Sequence, residues 1–138
     1  MTLSIYLTFN GNCADAFNFY KTVFGGDFEM ISTFGDGPPE MGVADSDKDK
    51  IMHVSYRIGD SVLMGSDTAE SFGGPSKQGN NFSISHTPSS KADADEKFAK
   101  LSDGGAVIMP MQDQFWGSYF GQCVDKFGIQ WMLNISSS

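Results

Sequence analysis

The sequence predicts an α+β chain built from two copies of one strand–helix–three-strand module. An internal repeat is the first observation: Ala14-Asp15-Ala16 recurs as Ala92-Asp93-Ala94, and at the same offset Tyr20 matches Phe98, Val23 matches Leu101 and Gly26 matches Gly104. The second is YLTFNGNCADAFNFYKTVFGG at 6–26, which reads as a strand, a capped helix and a glycine stop. The third is FWGSYFGQCVDKFGIQWMLN at 115–134, two short strands joined across a turn at 125–128. A chain of 138 residues is one domain on length, so modules at about 1–70 and 78–138 belong to a single domain.

Each element has a local cause. A first strand at 5–9 leads to Asn12, whose side-chain oxygen can cap a helix, and Asp15 adds a favourable negative charge to the first turn. Ala16, Phe19, Tyr20 and Val23 fall on one apolar stripe at helical spacing, which should cover one face of a sheet. Gly25-Gly26 ends the helix, and after it the apolar spacing is no longer helical. Strands are expected near 28–34, 50–58 and 61–66, with Ile58-Gly59-Asp60-Ser61 as a tight hairpin turn. The stretch 34–50, rich in Gly, Pro and Asp, has no periodicity and no counterpart in the second copy; it reads as a long mobile loop, of the kind that forms lids. The second copy runs from a strand at 82–85 through a helix begun by Ser89 or Ser90 with Asp93 and ended by Gly104-Gly105. Strands near 106–112, 117–124 and 129–135 complete it.

Composition narrows the function. With Lys+Arg 9 against Asp+Glu 17, the net charge of -8 disfavours nucleic acid and anionic lipid as partners. No apolar run is long enough to span a bilayer and the opening is unlike a secretory signal, so a cytoplasmic protein is expected. Cys13 and Cys123 make no CxxC pair or zinc-ribbon spacing and read as free thiols. No GxSxG elbow or Ser/His/Asp order suggests a hydrolase, and 125–128 lacks the alternating oxygen ligands of a calcium loop.

NGNCADAFNFYKTVFGG, IMHVSYRIGDSVLMGSD and FWGSYFGQCVDKFGIQWMLN, in that order and spacing, resemble PhnB-like proteins of the vicinal oxygen chelate superfamily, which includes glyoxalases, fosfomycin and bleomycin resistance proteins and extradiol dioxygenases. The resemblance covers nearly the whole chain. It implies two βαβββ modules whose four-stranded curved sheets make a cup, commonly a homodimer, and in many members a divalent metal in that cup. Projected from metal-bearing relatives, the ligand positions fall near Ser4 or Tyr6, Met64, Asn81 or Phe82, and Met132. Hydroxyl, thioether, amide and aromatic groups do not suit zinc, nickel or manganese, which prefer imidazole and carboxylate. Some family members carry a demethylubiquinone methyltransferase label. No strand here ends in the glycine-rich turn and acidic strand end of a site for S-adenosylmethionine.

Two histidines are available. His53 shares a strand face with Ser55 and Arg57 by alternation, and reads either as a catalytic group or as a hydrogen-bonded strand histidine; His86 is expected to be exposed at a strand end. Arg57, the only arginine, is an anion clamp or a solvated side chain on an edge strand. Cys13, in the first turn of a helix, is a reactive thiolate or a small packed residue. Trp116, Phe120, Gln122, Gln130 and Met132 can share one face of the last two strands, with Trp131, Leu133 and Ile135 on the helix side. Such a face suits a planar ligand, and equally a plain core or a dimer interface.

The expected function is therefore binding of a small organic molecule in an aromatic and methionine-lined cup without an obligatory metal or other cofactor. Tyr6, His53, Arg57, Met64, Trp116, Phe120, Gln122 and Met132 are its candidate lining, and a second copy of the chain is the expected partner. The rival is a metal-dependent lyase, isomerase or dioxygenase of glyoxalase type that uses His53 with Glu29, Glu40 or Asp67.

Overall fold

A computed structural model describes residues 2–70 and 73–137, which divide into two compact units, 1–77 and 78–138. The first unit runs β1 (Ile5–Phe9), α1 (Cys13–Phe24), β2 (Phe28–Thr33), β3 (Ile51–Ile58) and β4 (Ser61–Asp67). The second runs β5 (Ile84–His86), α2 (Lys91–Ser102), β6 (Ala106–Asp113), β7 (Ser118–Val124) and β8 (Gln130–Ser136). Their sheets have the same topology, β1-β4-β3-β2 and β5-β8-β7-β6, with the first strand parallel to the last and the other pairs antiparallel. This is the α+β architecture of two strand–helix–three-strand modules that the repeat predicts, and the helices, each of 12 residues, begin at corresponding positions, Cys13 and Lys91.

Alternation sets which face each helix covers. In the first unit Leu7, Phe9, Val54, Tyr56 and Leu63 point toward α1 and are buried. The helix contributes Ala16, Phe17, Tyr20 and Val23. Phe17, rather than the expected Phe19, fills the core, because Phe19 sits at the stripe's margin and is half-buried. Phe17 meets Phe9, Tyr20 and Phe28 edge-on, and Phe28 meets Tyr56 likewise. A side chain at Gly65 would bring its Cβ to 2.7 Å from Phe17, so only glycine lets the helix lie this close to β4. In the second unit Ala94, Phe98 and Leu101 pack toward Ile84, Cys123, Trp131 and Leu133, all buried. Each large apolar side chain buried in this way contributes about 1.5–3 kcal/mol.

Turn chemistry is also local. Ile58 pairs with Ser61 across Gly59-Asp60, and Gly59 takes φ 58° in the left-handed region that such a two-residue hairpin requires. Gly128 N–H donates to the Asp125 carbonyl, closing the expected turn between β7 and β8. The Asp125 carboxylate accepts from the N–H groups of Phe127 and Ile129 and from Trp131 Nε1 at 2.9 Å, so a buried charge is fully engaged.

Several expectations are corrected. Asn12 makes no side-chain cap; Asp67, at the end of β4, accepts from Gly11 N–H and Cys13 N–H, each at 2.9 Å, and takes over that role. In the second helix Ser90 is the cap, accepting from Asp93 N–H, and Asp93 returns to Ser89 N–H. Phe82 precedes its strand, which starts at Ile84; its carbonyl accepts from Gln130 Nε2. The 34–50 stretch is a chain of short 3₁₀ turns at Phe34–Asp36, Pro39–Met41 and Asp45–Asp47. Phe34 and Asp47 are buried there, and Phe34 N–H and Gly35 N–H extend the β2–β3 pairing to the carbonyls of Lys50 and Lys48.

Candidate functional site

The face of each sheet turned away from its helix collects the side chains with chemical capability. In the first unit β1, β4, β3 and β2 present Tyr6, Met64, Ser55 and Arg57, His53 and Ser32 there, because their neighbours Leu7, Leu63, Val54 and Tyr56 point into the core. Tyr6 lies beside Met64, Met64 beside Ser55, and Ser32 directly opposite His53. Thr8 and Ser66, adjacent partners, extend the hydroxyl-rich row. The four first-unit residues expected at the site therefore share one sheet face.

Two polar pairs shape it. Tyr6 Oη lies 3.3 Å from His53 Nδ1, with the rings 5.8 Å apart. Arg57 Nε lies 3.4 Å from Glu29 Oε2. Arg57 sits on the interior strand β3 rather than on the edge strand of its second reading, and its half-exposed side chain pairs with the Glu29 carboxylate from β2. Among the described residues Ser32 Oγ is buried without a hydrogen-bond partner. Sequence reasoning missed Ser32 because its position opposite His53 depends on the β2–β3 register, which shifts twice along the pair.

The far face of the second unit is more apolar. Phe120, Gln122 and Met132 share it, with Phe120 opposite Asn134 and Gln122 opposite Met132. Trp116 joins from the 115–117 turn, not from a strand, with its ring 5.8 Å from Phe120. Ser85, not Asn81 or Phe82, is the first-strand residue beside Met132, since β5 starts later than expected. Asn134 Oδ1 is the other buried side-chain atom without a partner among the described residues.

The remaining candidates are structural. The Cys13 thiol is buried and pushed far above its ordinary range by burial and then by Asp67. Cys123, also buried, is pushed up to about 12 by burial and then by Asp125. Neither is poised as a thiolate. His86 is half-buried rather than exposed, because Lys97 of α2 packs against it with Nζ 3.3 Å from Nε2. A separate polar cavity of about 440 Å³ lies along the first unit's loops, between Asn10, Asp47, Lys50, Thr68, Glu70 and Pro75.

Comparison with known proteins places this geometry. Residues 1–134 match the family described as 3-demethylubiquinone-9 3-methyltransferase. The chain belongs to that family. It is similar to protein PA1353 from Pseudomonas aeruginosa, with 41% identity over 97% of this chain and 96% of that one and a TM-score of 0.86. It is 32% identical to protein YjdN of Escherichia coli (strain K12), over 98% of this chain and 95% of that protein. A PhnB protein from Bacillus cereus matches at 23% identity and a TM-score of 0.79, over 99% of this chain and all of that one. More remotely, the fosfomycin resistance protein FosX of Listeria monocytogenes shares the fold, with 12% identity, 99% and 93% coverage and a TM-score of 0.67. The fold is thus that of PhnB-like and glyoxalase-like proteins.

The residues present do not fit a divalent metal of the kind such folds hold. Among the described residues no group of three or more His, Cys, Asp or Glu is arranged to hold an ion. Of the rival set, Asp67 is buried and spent on three backbone N–H groups, Glu29 is paired with Arg57, and Glu40 stands in the Pro39–Met41 turn. Nor does the β1–α1 turn fit S-adenosylmethionine, because the amides of Gly11 and Cys13 that would meet a ligand are already bound by Asp67.

Proposed function

We propose that the protein binds a small organic molecule on the far face of the first unit's sheet, around Tyr6, His53, Arg57 and Met64, without an obligatory metal. The observation that carries this reading is the Tyr6–His53 pair beside Met64, with the Arg57–Glu29 pair on the same face. A phenol, an imidazole and a guanidinium set on rigid strands fix a ligand's orientation, and the thioether gives it a polarizable surface. The apolar face of Trp116, Phe120, Gln122 and Met132 supports the same class of ligand, a planar organic molecule. The names of relatives point the same way only by analogy, since FosX is a fosfomycin resistance protein and its likeness here is one of fold.

We further propose a homodimer and a cytoplasmic location. Exposed Met30, Ile31, Val107 and Ile108 on β2 and β6 support the first, and the two free buried thiols are in keeping with the second. The test of the ligand reading is metal analysis and thermal denaturation of protein purified without chelator. Metal well below one ion per chain is expected, with a melting temperature raised by planar aromatic compounds. Stabilisation of about 2.7 kcal/mol is expected at a hundredfold excess over Kd, and it should shrink in Tyr6→Ala. Stoichiometric metal that is lost on His53→Ala would instead overturn the metal-free reading and favour the glyoxalase-type enzyme.

A further inference from the structure

The Tyr6–His53 pair and the buried Ser32 hydroxyl say more about the ligand than that it is small. This step rests on the proposed binding face and specifies what binds there. Ser32 and His53 are direct cross-strand partners, so their side chains leave the β2–β3 pair on the same side and close together. Ser32 Oγ is buried with no partner among the described residues, whereas most buried hydroxyls have one. A group on this sheet face that satisfies it is a neighbour of His53.

The ring's chemistry chooses that group. Tyr6 Oη is within reach of Nδ1. A phenol O–H is a good donor to an imidazole nitrogen; with Tyr6 donating to Nδ1, the neutral ring carries its proton on Nε2. His53 in this tautomer offers an N–H, and the neighbouring Ser32 can offer an O–H, on the same sheet face, and an acceptor can satisfy both. Charge limits how negative that acceptor is. The one arginine on the face is already engaged by Glu29, and the chain carries a net charge of -8. A dianion would meet one compensated cation in a negative field, but a monoanion with two acceptor oxygens satisfies both donors at less electrostatic cost.

We propose that Ser32 Oγ and His53 Nε2 form a subsite for the carboxylate of a small organic acid, with Tyr6 as the positioning residue that holds the tautomer. No bond is made or broken in this step. Without a partner among the described residues, the hydroxyl is a stability cost that such binding removes.

The experiment uses benzoate as the probe, with phenylphosphonate and benzyl alcohol as comparison compounds, and follows the two imidazoles by nitrogen NMR. Free protein should show His53 with its proton on Nε2, and benzoate should shift that nitrogen without moving His86. Ser32→Ala should melt at the same or a higher temperature than the native chain, yet bind benzoate about tenfold more weakly. Tyr6→Phe should mix the His53 tautomers and weaken benzoate in parallel. Phenylphosphonate should bind more weakly than benzoate near neutral pH. If Ser32→Ala binds benzoate as tightly as the native protein, or His53 carries its proton on Nδ1, the subsite is refuted. Benzyl alcohol binding as well as benzoate, with shifts at Tyr6 and Met64, would refute the carboxylate preference while leaving the wider binding face standing. No shift on that face with any of the three probes would sink both.

Discussion

At Asp67 a residue with the chemistry of a metal ligand turns out to hold backbone together. One carboxylate oxygen accepts from Gly11 N–H and Cys13 N–H, and the other from Ile51 N–H at 2.9 Å. It thereby ties the start of α1, the start of β3 and the end of β4 to one buried charge. Composition cannot distinguish this from a ligand, because an acidic residue at a strand end looks the same in either role. Ser32 is the reverse case, a residue type that draws no notice until the register sets it opposite His53. Asp67→Asn keeps one acceptor oxygen for the helix start but turns an amide N–H toward Ile51 N–H. We expect it to destabilise the chain by about 2 kcal/mol, and Asp67→Ala by more, because three buried amides lose their acceptor. Urea denaturation followed by circular dichroism measures this. A loss below about 0.5 kcal/mol for Asp67→Ala would show that water satisfies those amides as well as the carboxylate does.

Helices and hairpins were the most legible level, since their causes lie within a few residues. The glycine stops, the Gly59 turn and the helix positions followed from spacing alone, and the buried faces of β3, β4, β7 and β8 followed from alternation. What failed depended on distant chain. Asn12 lost its cap to a carboxylate 55 positions on, and β5 shortened to three residues, from Ile84 to His86. Where β5 meets α2, His86 faces Lys97 at 3.3 Å, and Lys97 also pairs with Asp93 at 2.9 Å. Burial first, and the Lys97 charge second, lower the His86 pKa from its ordinary 6.5, while Asp93 opposes them. The folded chain thus prefers the neutral ring, and the unfolded chain binds the extra proton as pH falls below about 6.5. This junction's contribution is present above that pH and should be lost as pH falls through 6.5 toward the lowered folded value. Hydrogen exchange at 84–86 and in the first turns of α2 should rise between pH 7 and pH 5.5. His86→Gln should flatten that rise, and an unchanged slope in this variant would assign the pH dependence elsewhere.

At the scale of the whole molecule, the sequence's aromatic and methionine content was legible as ligand-binding or interface surface but not divisible between the two. The structure makes the division more specific. Met64, Phe120 and Met132 sit on far faces of the interior strands β4, β7 and β8, with Tyr6 beside Met64 on β1, whereas Met30 and Ile31 on β2, and Val107 and Ile108 on β6, are roughly half exposed on the edge strands at the other side of each sheet. Those edges are poorly suited to adding a strand. Both pair with register shifts, and β6 carries Pro110, which cannot donate to a neighbouring chain. An assembly that covers them must therefore pack side chains, and a twofold pair does so with one self-complementary surface. The net charge of -8 opposes close approach only over about a Debye length, so a rim of acids is tolerated at physiological salt. Light scattering at micromolar concentration should report about twice the chain mass of 15.0 kDa. Val107→Lys combined with Ile31→Lys should return it to one chain with an unchanged circular dichroism spectrum, because neither residue lies in a core. A native protein that stays monomeric across that range would remove the dimer, and a double variant that stays dimeric would move its interface away from these strands.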